Sequence, residues 1–274
     1  MTPIVKYRIL QYNVLHQKKG WTRLTHLFEM PFLRRAENVA RAITDCAPDI
    51  VMLAERHDEW SGVAAGAMDG AVDLVALLGG AYAMIEDRIT YKEETVVNRV
   101  PIAYRTDVFR LVDSGFLRLS EECSFQQSQN KRVVTWAILE DVRDAEPHGA
   151  RIAVFNTHWS FAQYNGTSYE SIRQAQTKET QKLINSEKFR GLPVVAGGDY
   201  NAVYSESIYL ALLQGCGLHH ADMTANGRIT YNNVDHIAVA GAKVASYVVH
   251  KADEASDHEP IYCDIEIHGG YKIQ

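Results

Sequence analysis

Pro193-Val-Val-Ala-Gly-Gly-Asp-Tyr-Asn-Ala202 is the stretch whose reading decides the fold. Val194, Val195 and Ala196 make an apolar run long enough for a buried strand, and Gly197 and Gly198 lead from it to Asp199 and Asn201. On an extended backbone, residues i and i+2 share a side. The spacing therefore predicts a carboxylate and an amide offered to one small volume at the end of a core strand. The glycines permit a sharp turn or a close approach of the backbone to a ligand. Gly, Asp and Asn are also ordinary turn formers, so taken alone the stretch reads equally as a strand ending in a polar turn.

The same form recurs outward along the chain. Upstream, Arg151-Ile-Ala-Val-Phe155 reads as a strand delivering Asn156-Thr-His158, with a helix over 169–186 between it and the opening stretch. Ile50-Val-Met-Leu-Ala54 is a strand delivering Glu55. Before it, Ala36, Val39, Ala40, Ile43 and Ala47 recur at spacings of three and four, which predicts an amphipathic helix over 32–47. The first strand, over 7–15, carries Asn13 near its end. Downstream come a helix over 205–214 with Ser205 as N-cap, strands over 231–239 and 243–250, and Asp257-His258 just before the last strand. The middle of the chain supplies a short helix over 71–78 and strands near 81–85, 95–97, 102–105, 109–114 and 131–140. Helix alternating with strand predicts an α/β fold. Without repeats, low-complexity tracts or linkers, residues 1–274 read as a single domain.

Composition narrows the classes. Of 274 residues, 46% are apolar and 23% charged, ordinary proportions for a globular protein. No apolar run approaches the length of a membrane span. The first residues lack the pattern of a signal peptide, which predicts a cytoplasmic protein, and a monomer is the expected state. Cys46, Cys123, Cys216 and Cys263 are scattered and read as reduced thiols rather than a disulfide framework or zinc site. A net charge of −6 argues against tight non-specific binding to nucleic acid, though not against an enzyme that touches a polyanion locally and brings a divalent cation.

Gathered together, the strand-end groups are Asn13, Glu55, Asn156 with His158, Asp199 with Asn201, Asp235 with His236, and Asp257 with His258. Carboxylate and amide oxygens suit a hard cation such as Mg²⁺ or Mn²⁺. Histidines beside carboxylates suit proton transfer and the binding of anionic oxygens. In this order, from Gln11-Tyr-Asn13 through Glu55, Asn156-Thr-His158, Gly198-Asp-Tyr-Asn201 and Val234-Asp-His236 to Ser256-Asp-His258, they resemble the endonuclease/exonuclease/phosphatase (DNase I-like) superfamily. Each piece is common alone, but six in the family's order are specific.

The resemblance implies an α/β (α+β) four-layer sandwich, two face-to-face mixed β-sheets flanked by helices. It also implies hydrolysis of a phosphate ester by an in-line water. Carried over, Asn13, Glu55 and Asp257 would hold Mg²⁺ or Mn²⁺, Asp199 would orient or deprotonate the water, and Asn201 would grip the phosphate. His258, oriented by Asp235, would stabilise the phosphoryl oxygens or transfer a proton. His158 would contact the phosphate or assist the leaving group, and Arg132 and Asn156 would bind substrate. Two departures stand out: Ala54 replaces the glutamine many relatives carry before the metal-binding Glu, and Tyr200 stands where Phe or Leu is more usual. The Trp-Cys-Asp-Arg run of inositol 5-phosphatases is missing, so the match is to the generic hydrolase branch, including the segment Asp113–Ser120.

The expected activity is phosphodiester hydrolysis on nucleic acid, a lipid head group or a small phosphorylated molecule. The alternatives are a phosphomonoesterase acting on a sugar or inositol phosphate and a non-catalytic binding protein. The last is disfavoured because every expected position is filled. Read without the resemblance, His158 is a structural histidine. His236 reads as structural, and His16, His57, His219, His220 and Asp222 share no ligand spacing and read as packing or surface groups.

Overall fold

A computed structural model describes residues 4–15, 31–56, 72–86, 88–91, 94–120, 132–143, 149–164, 166–252 and 254–268. The chain begins with β1 (Ile4–Asn13), α1 (Phe32–Cys46), β2 (Ile50–Ala54), α2 (Leu74–Leu77), β3 (Tyr82–Ile85), β4 (Arg88–Tyr91) and β5 (Glu94–Val97). There follow β6 (Ile102–Arg105), β7 (Phe109–Arg118), β8 (Val133–Asp141), β9 (Arg151–His158), β10 (Gln163–Tyr164), β11 (Thr167–Ser168) and α3 (Glu170–Ile184). The last third holds β12 (Val194–Asp199), α4 (Ser207–Cys216), β13 (His219–His220), α5 (Ala221–Asn226), β14 (Asp235–Ala240), β15 (Lys243–Val249) and β16 (Ile261–His268).

Two six-stranded sheets result, ordered β15-β16-β1-β2-β6-β3 and β13-β14-β12-β9-β8-β7. Both are mixed: β1 runs parallel to β2 and antiparallel to β16, and β12 runs parallel to β9 and antiparallel to β14. Strand parity sorts the side chains into layers. Ile9, Ile50, Met52 and Ile102 of the first sheet meet Ile152, Val154, Val195, Ile237 and Val239 of the second in one buried core. The opposite faces turn outward. Leu10, Tyr12, Val51 and Leu53 pack on Ala36, Val39 and Ile43 of α1. Phe155, Ala196 and Ala238 pack with Ile184 of α3 and with Ile208 and Leu212 of α4. Helix, sheet, sheet and helix are the four expected layers. Each fully buried aliphatic side chain contributes about 2 kcal/mol, so the inter-sheet core is the main force holding the strand ends in place.

Local chemistry sets the boundaries. Helix α1 stops where Ala47 turns left-handed (φ 46°) ahead of Pro48. Helix α2 is shorter than expected and starts after Asp73, whose carboxylate accepts from the Val75 and Ala76 N–H groups. Ser205 is not the cap of α4. Glu206 takes that place and accepts the Val203 N–H at 3.0 Å, closing the turn before the helix. The strand expected from Tyr231 begins at Asp235 instead. The N–H groups of Thr230 and Tyr231 are given to Asp222 at 2.6 and 3.1 Å, so they cannot join a ladder. β7 runs on to Arg118, and α5, β4, β10, β11 and β13 were not expected from the sequence.

Cys46, Cys216 and Cys263 are free thiols, and burial pushes Cys46 and Cys216 up to about 11, which leaves them unreactive. Among the described residues no helix is long and apolar enough to cross a membrane. The segment from His16 to Met30 with Lys18, Lys19, Trp21 and Phe28, and also His57, Asp58 and Cys123, lie outside the described residues.

Candidate active site

Both β9 and β12 continue through their polar residues, so the functional groups sit on the strands themselves. In register, His158 of β9, Asp199 of β12 and Asp235 of β14 stand side by side. All three share parity with the inward apolar residues Val154, Val195 and Ile237, and so occupy the rim of the inter-sheet space. From the facing sheet, Asn13 closes the inward series Tyr7, Ile9, Gln11 of β1. Beside it β2 ends at Ala54, Asn13's neighbour in register, and Glu55 turns left-handed (φ 59°).

Hydrogen bonds join the two halves. The Asn13 amide donates to Asp199 Oδ2 at 3.0 Å and to Glu55 Oε1 at 3.2 Å, while its oxygen accepts the Leu15 N–H at 3.0 Å. Asp199 Oδ1 accepts the Asn201 N–H at 2.9 Å, and Asp199 Oδ2 lies 3.6 Å from His158 Nε2. Asn201 adopts φ 46°, and its amide donates to the Trp159 carbonyl at 2.7 Å. His258 Nδ1 donates to Asp235 Oδ2, and the Ser256 hydroxyl donates to the Asn13 carbonyl at 2.6 Å, pinning the loop that bears His258 against β1.

Electrostatics follow from this crowding. Burial and the Asp235 carboxylate push the Asp199 carboxyl up to about 6, against the opposing pull of His258, the Asn201 N–H and the Asn13 amide. Burial alone would lower His258, but Asp235 overrides it, aided by Asp199 and Asp257, and holds the imidazole well above its ordinary value. His258 is therefore a cation paired to Asp235, with its ring orientation fixed by that bond.

The donor set fits a hard divalent cation. Three carboxylates (Glu55, Asp199, Asp235) and the Asn13 amide converge, and Asp235 Oδ1 is buried without a hydrogen-bond donor. The Asn13 –NH₂ group lies between two carboxylates, and a cation in its place would be held through the Asn13 oxygen once the amide turns over and gives up the Leu15 N–H. One ligand atom each from Asp199, Asp235 and His258 falls within 4.8 Å of the others. Asp257, expected among the ligands, is exposed, and among the described residues no hydrogen bond or ion pair joins it to Asn13 or Glu55.

Two substrate contacts were expected. Arg132 Nη1 donates to the His158 carbonyl at 3.3 Å, and its guanidinium lies 5.8 Å from the centre of the Phe161 ring, beside the row. Asn156 is fully buried and donates to the Leu53 and Pro101 carbonyls at 2.7 and 2.9 Å. It ties the sheets together two residues below His158, and this uses both of its amide hydrogens. The sequence reading passed over Arg173, Gln176 and Glu206, which hold the loops of the site from behind; His236, read as structural, and His220, read as a packing or surface group, form a buried pair there. A buried arginine on a mostly polar helix carries no motif, so only packing reveals it.

The model of the Endonuclease/Exonuclease/phosphatase family matches residues 10–258. Among solved structures, an endonuclease/exonuclease/phosphatase family protein from Bacteroides thetaiotaomicron is 18% identical (TM-score 0.71, covering 97% of this chain and 99% of that one). A mannosyl-6-phosphatase from the same organism is 20% identical (TM-score 0.71, 94% and 99%). The human Nocturnin catalytic domain is 18% identical (TM-score 0.69, 96% and 97%). At these identities the likeness establishes the fold. No curated protein matches the chain by sequence.

Proposed function

Because the chain belongs to the endonuclease/exonuclease/phosphatase family, we propose that it is a divalent-cation-dependent phosphoesterase acting first on phosphodiesters. The observation that carries this reading is the rim row itself. The His258–Asp235 pair stands beside Asp199, which is hydrogen-bonded across the sheets to Asn13 and through it to Glu55. Asn13 and Glu55, with Asp257 at the exposed side, would hold Mg²⁺ or Mn²⁺, which would draw charge from the phosphoryl oxygens.

The chain's own groups carry the remaining work. Asp199 orients the attacking water and takes its proton, for which a carboxyl near 6 suits neutral pH. The cationic His258 and the Asn201 amide bind the phosphoryl oxygens, and Asp235 keeps the imidazole oriented and charged. His158 stands by the leaving group.

A diester is favoured over a monoester by charge. Asp235 neutralises His258, so the rim offers little fixed positive charge for a dianion. The mannosyl-6-phosphatase among the similar structures keeps a sugar phosphate as the second reading.

The test is hydrolysis of bis-p-nitrophenyl phosphate and p-nitrophenyl phosphate with Mg²⁺, Mn²⁺ or EDTA, beside His258→Ala, with plasmid DNA and an RNA oligomer in parallel. Cation-dependent diester cleavage, lost in the variant, is the expected result. Cleavage of the monoester alone selects the second reading. No turnover together with no divalent-ion binding by calorimetry refutes both.

A further inference from the structure

Helix α3 sits behind the rim and carries four buried polar side chains, Arg173, Gln176, Thr177 and Thr180, on one face; the two threonines bond back to their own helix. Gln176 holds Ser160: its oxygen accepts the Ser160 N–H at 3.0 Å and its amide donates to the Ser160 hydroxyl at 2.9 Å. Arg173, 1% exposed, reaches the other loop. Its Nη2 donates to the Asn201 carbonyl at 2.7 Å and to Glu206 Oε2 at 2.9 Å, and Nη1 donates to Glu170 Oε2 at 3.3 Å. Glu206 uses its other oxygen on the Val203 N–H at 3.0 Å.

These bonds tie the two ends of the segment from Asn201 to Glu206 to one guanidinium. At its first end stands Asn201, at φ 46°. A non-glycine residue in the left-handed region is strained and persists only where its surroundings over-determine it. An arginine is also a costly way to fill buried space, because apolar side chains pack there without the loss of hydration. A role limited to packing does not explain it. Its Nη2 is spent on the carbonyl of Asn201, next but one to Asp199.

We propose that Arg173, together with Glu206, is a positioning residue for the reaction: it fixes the left-handed turn at Asn201 from which the amide reaches the phosphate. This rests on the phosphoesterase reading above.

The experiment compares the wild type with Arg173→Lys, Asn201→Gly and the double variant. It reads steady-state hydrolysis of bis-p-nitrophenyl phosphate with Mn²⁺, Tm, and amide hydrogen exchange of residues 200–206. A lysine replaces the planar fork that spans Asn201, Glu206 and Glu170 by a single, shorter and freely rotating ammonium, and so does not hold that geometry. Arg173→Lys is expected to lower kcat at least tenfold with KM within threefold, and to speed exchange in 200–206 while the sheets stay protected. In the Asn201→Gly background the same change is expected to alter kcat less than twofold, since the side chain it positions is gone. Equal losses in both backgrounds, or unchanged kcat and exchange, overturn the proposal. Should Arg173→Lys fail to fold, Glu206→Gln, which leaves one acceptor oxygen for two donors, carries the same comparison. A wild type that cleaves no phosphate ester refutes the reading of the site instead. The clamp is then decided by exchange: faster in 200–206 supports it, and unchanged overturns it.

Discussion

Acid should unfold this protein through two histidines behind the site. Behind β14, His236 Nε2 lies 2.7 Å from the Ala202 carbonyl, which can only accept, so Nε2 carries the proton and Nδ1 accepts. His220 Nε2, 3.0 Å away, is therefore the donor to Nδ1, and His220 Nδ1 in turn accepts the Met223 N–H at 3.5 Å. Each ring is neutral with one permitted tautomer, and a proton added to either breaks the chain. Burial depresses both, His220 to about 4 despite the pull of Asp222, and His236 to about 3 with His220 adding to the effect. In the unfolded chain both titrate near 6.5, so the native state keeps its full advantage above that pH and loses it as pH falls from 6.5 toward 4 and 3. Between pH 6 and 5 the unfolded state binds nearly two more protons than the native one, a slope of about 2.4 kcal/mol per pH unit. From pH 7 to 5 the pair costs about 4 kcal/mol, a large share of the 5–15 kcal/mol typical of a domain. His236→Gln keeps a donor for Ala202 and an acceptor for His220 but does not titrate. Urea unfolding at pH 7, 6 and 5 should show the variant's slope reduced by about 1.2 kcal/mol per pH unit. Parallel pH profiles for wild type and variant would refute the reasoning.

Two further substitutions probe the geometry beneath the site. A Cβ on Gly198, which sits at φ 151°, would lie 2.3 Å from the Thr157 carbonyl oxygen. Gly198→Ala should therefore destabilise by about 3 kcal/mol or more in thermal or urea unfolding, and wild-type stability would contradict this placement. Asn156→Ala takes from the Leu53 carbonyl its Asn156 donor and leaves the Pro101 carbonyl with the Leu53 N–H alone, and should cost about 1–3 kcal/mol, with KM for a diester within threefold. A rise in KM at full stability would return Asn156 to the substrate.

The strands were legible because a strand buried on both faces shows as an unbroken apolar run, as in Ile50–Ala54 and Val194–Ala196. Which side of each run meets the other sheet was not legible, since every position in it is apolar. The polar ends were legible by residue type, since Asp199, Asp235 and His258 each follow or precede such a run. What escaped the sequence were interactions with no period. Ser205 is the stereotyped helix cap, yet Glu206 displaces it because one longer side chain serves both the Val203 N–H and Arg173. The strand expected at Tyr231 loses its first residues to a single buried acceptor, Asp222, distant by only nine positions but on another element. Asn156 resembles a site residue because it shares His158's face, and only the position of the facing sheet shows that its amide is consumed.

Core and site are built by the same alternation. Along β12 the inward positions are Val195, Gly197 and Asp199; along β9 they are Val154, Asn156 and His158; along β14, approached from the other end, they are Val239, Ile237 and Asp235. A slip of one residue in any of these strands would send its acid or imidazole to the helix side, so the apolar core that fixes register also fixes the row at the rim. Gly197 makes the final contact reachable. A Cβ there would lie 2.2 Å from Met52 Cε, so the methionine of one sheet fills the space the other leaves empty. Packed sheets ordinarily stand about 10 Å apart, too far for a short amide to bond a carboxylate across the gap unless the backbones draw together. The missing side chain at Gly197 permits that approach directly below Asp199, and Asn13 closes the remaining distance at 3.0 Å.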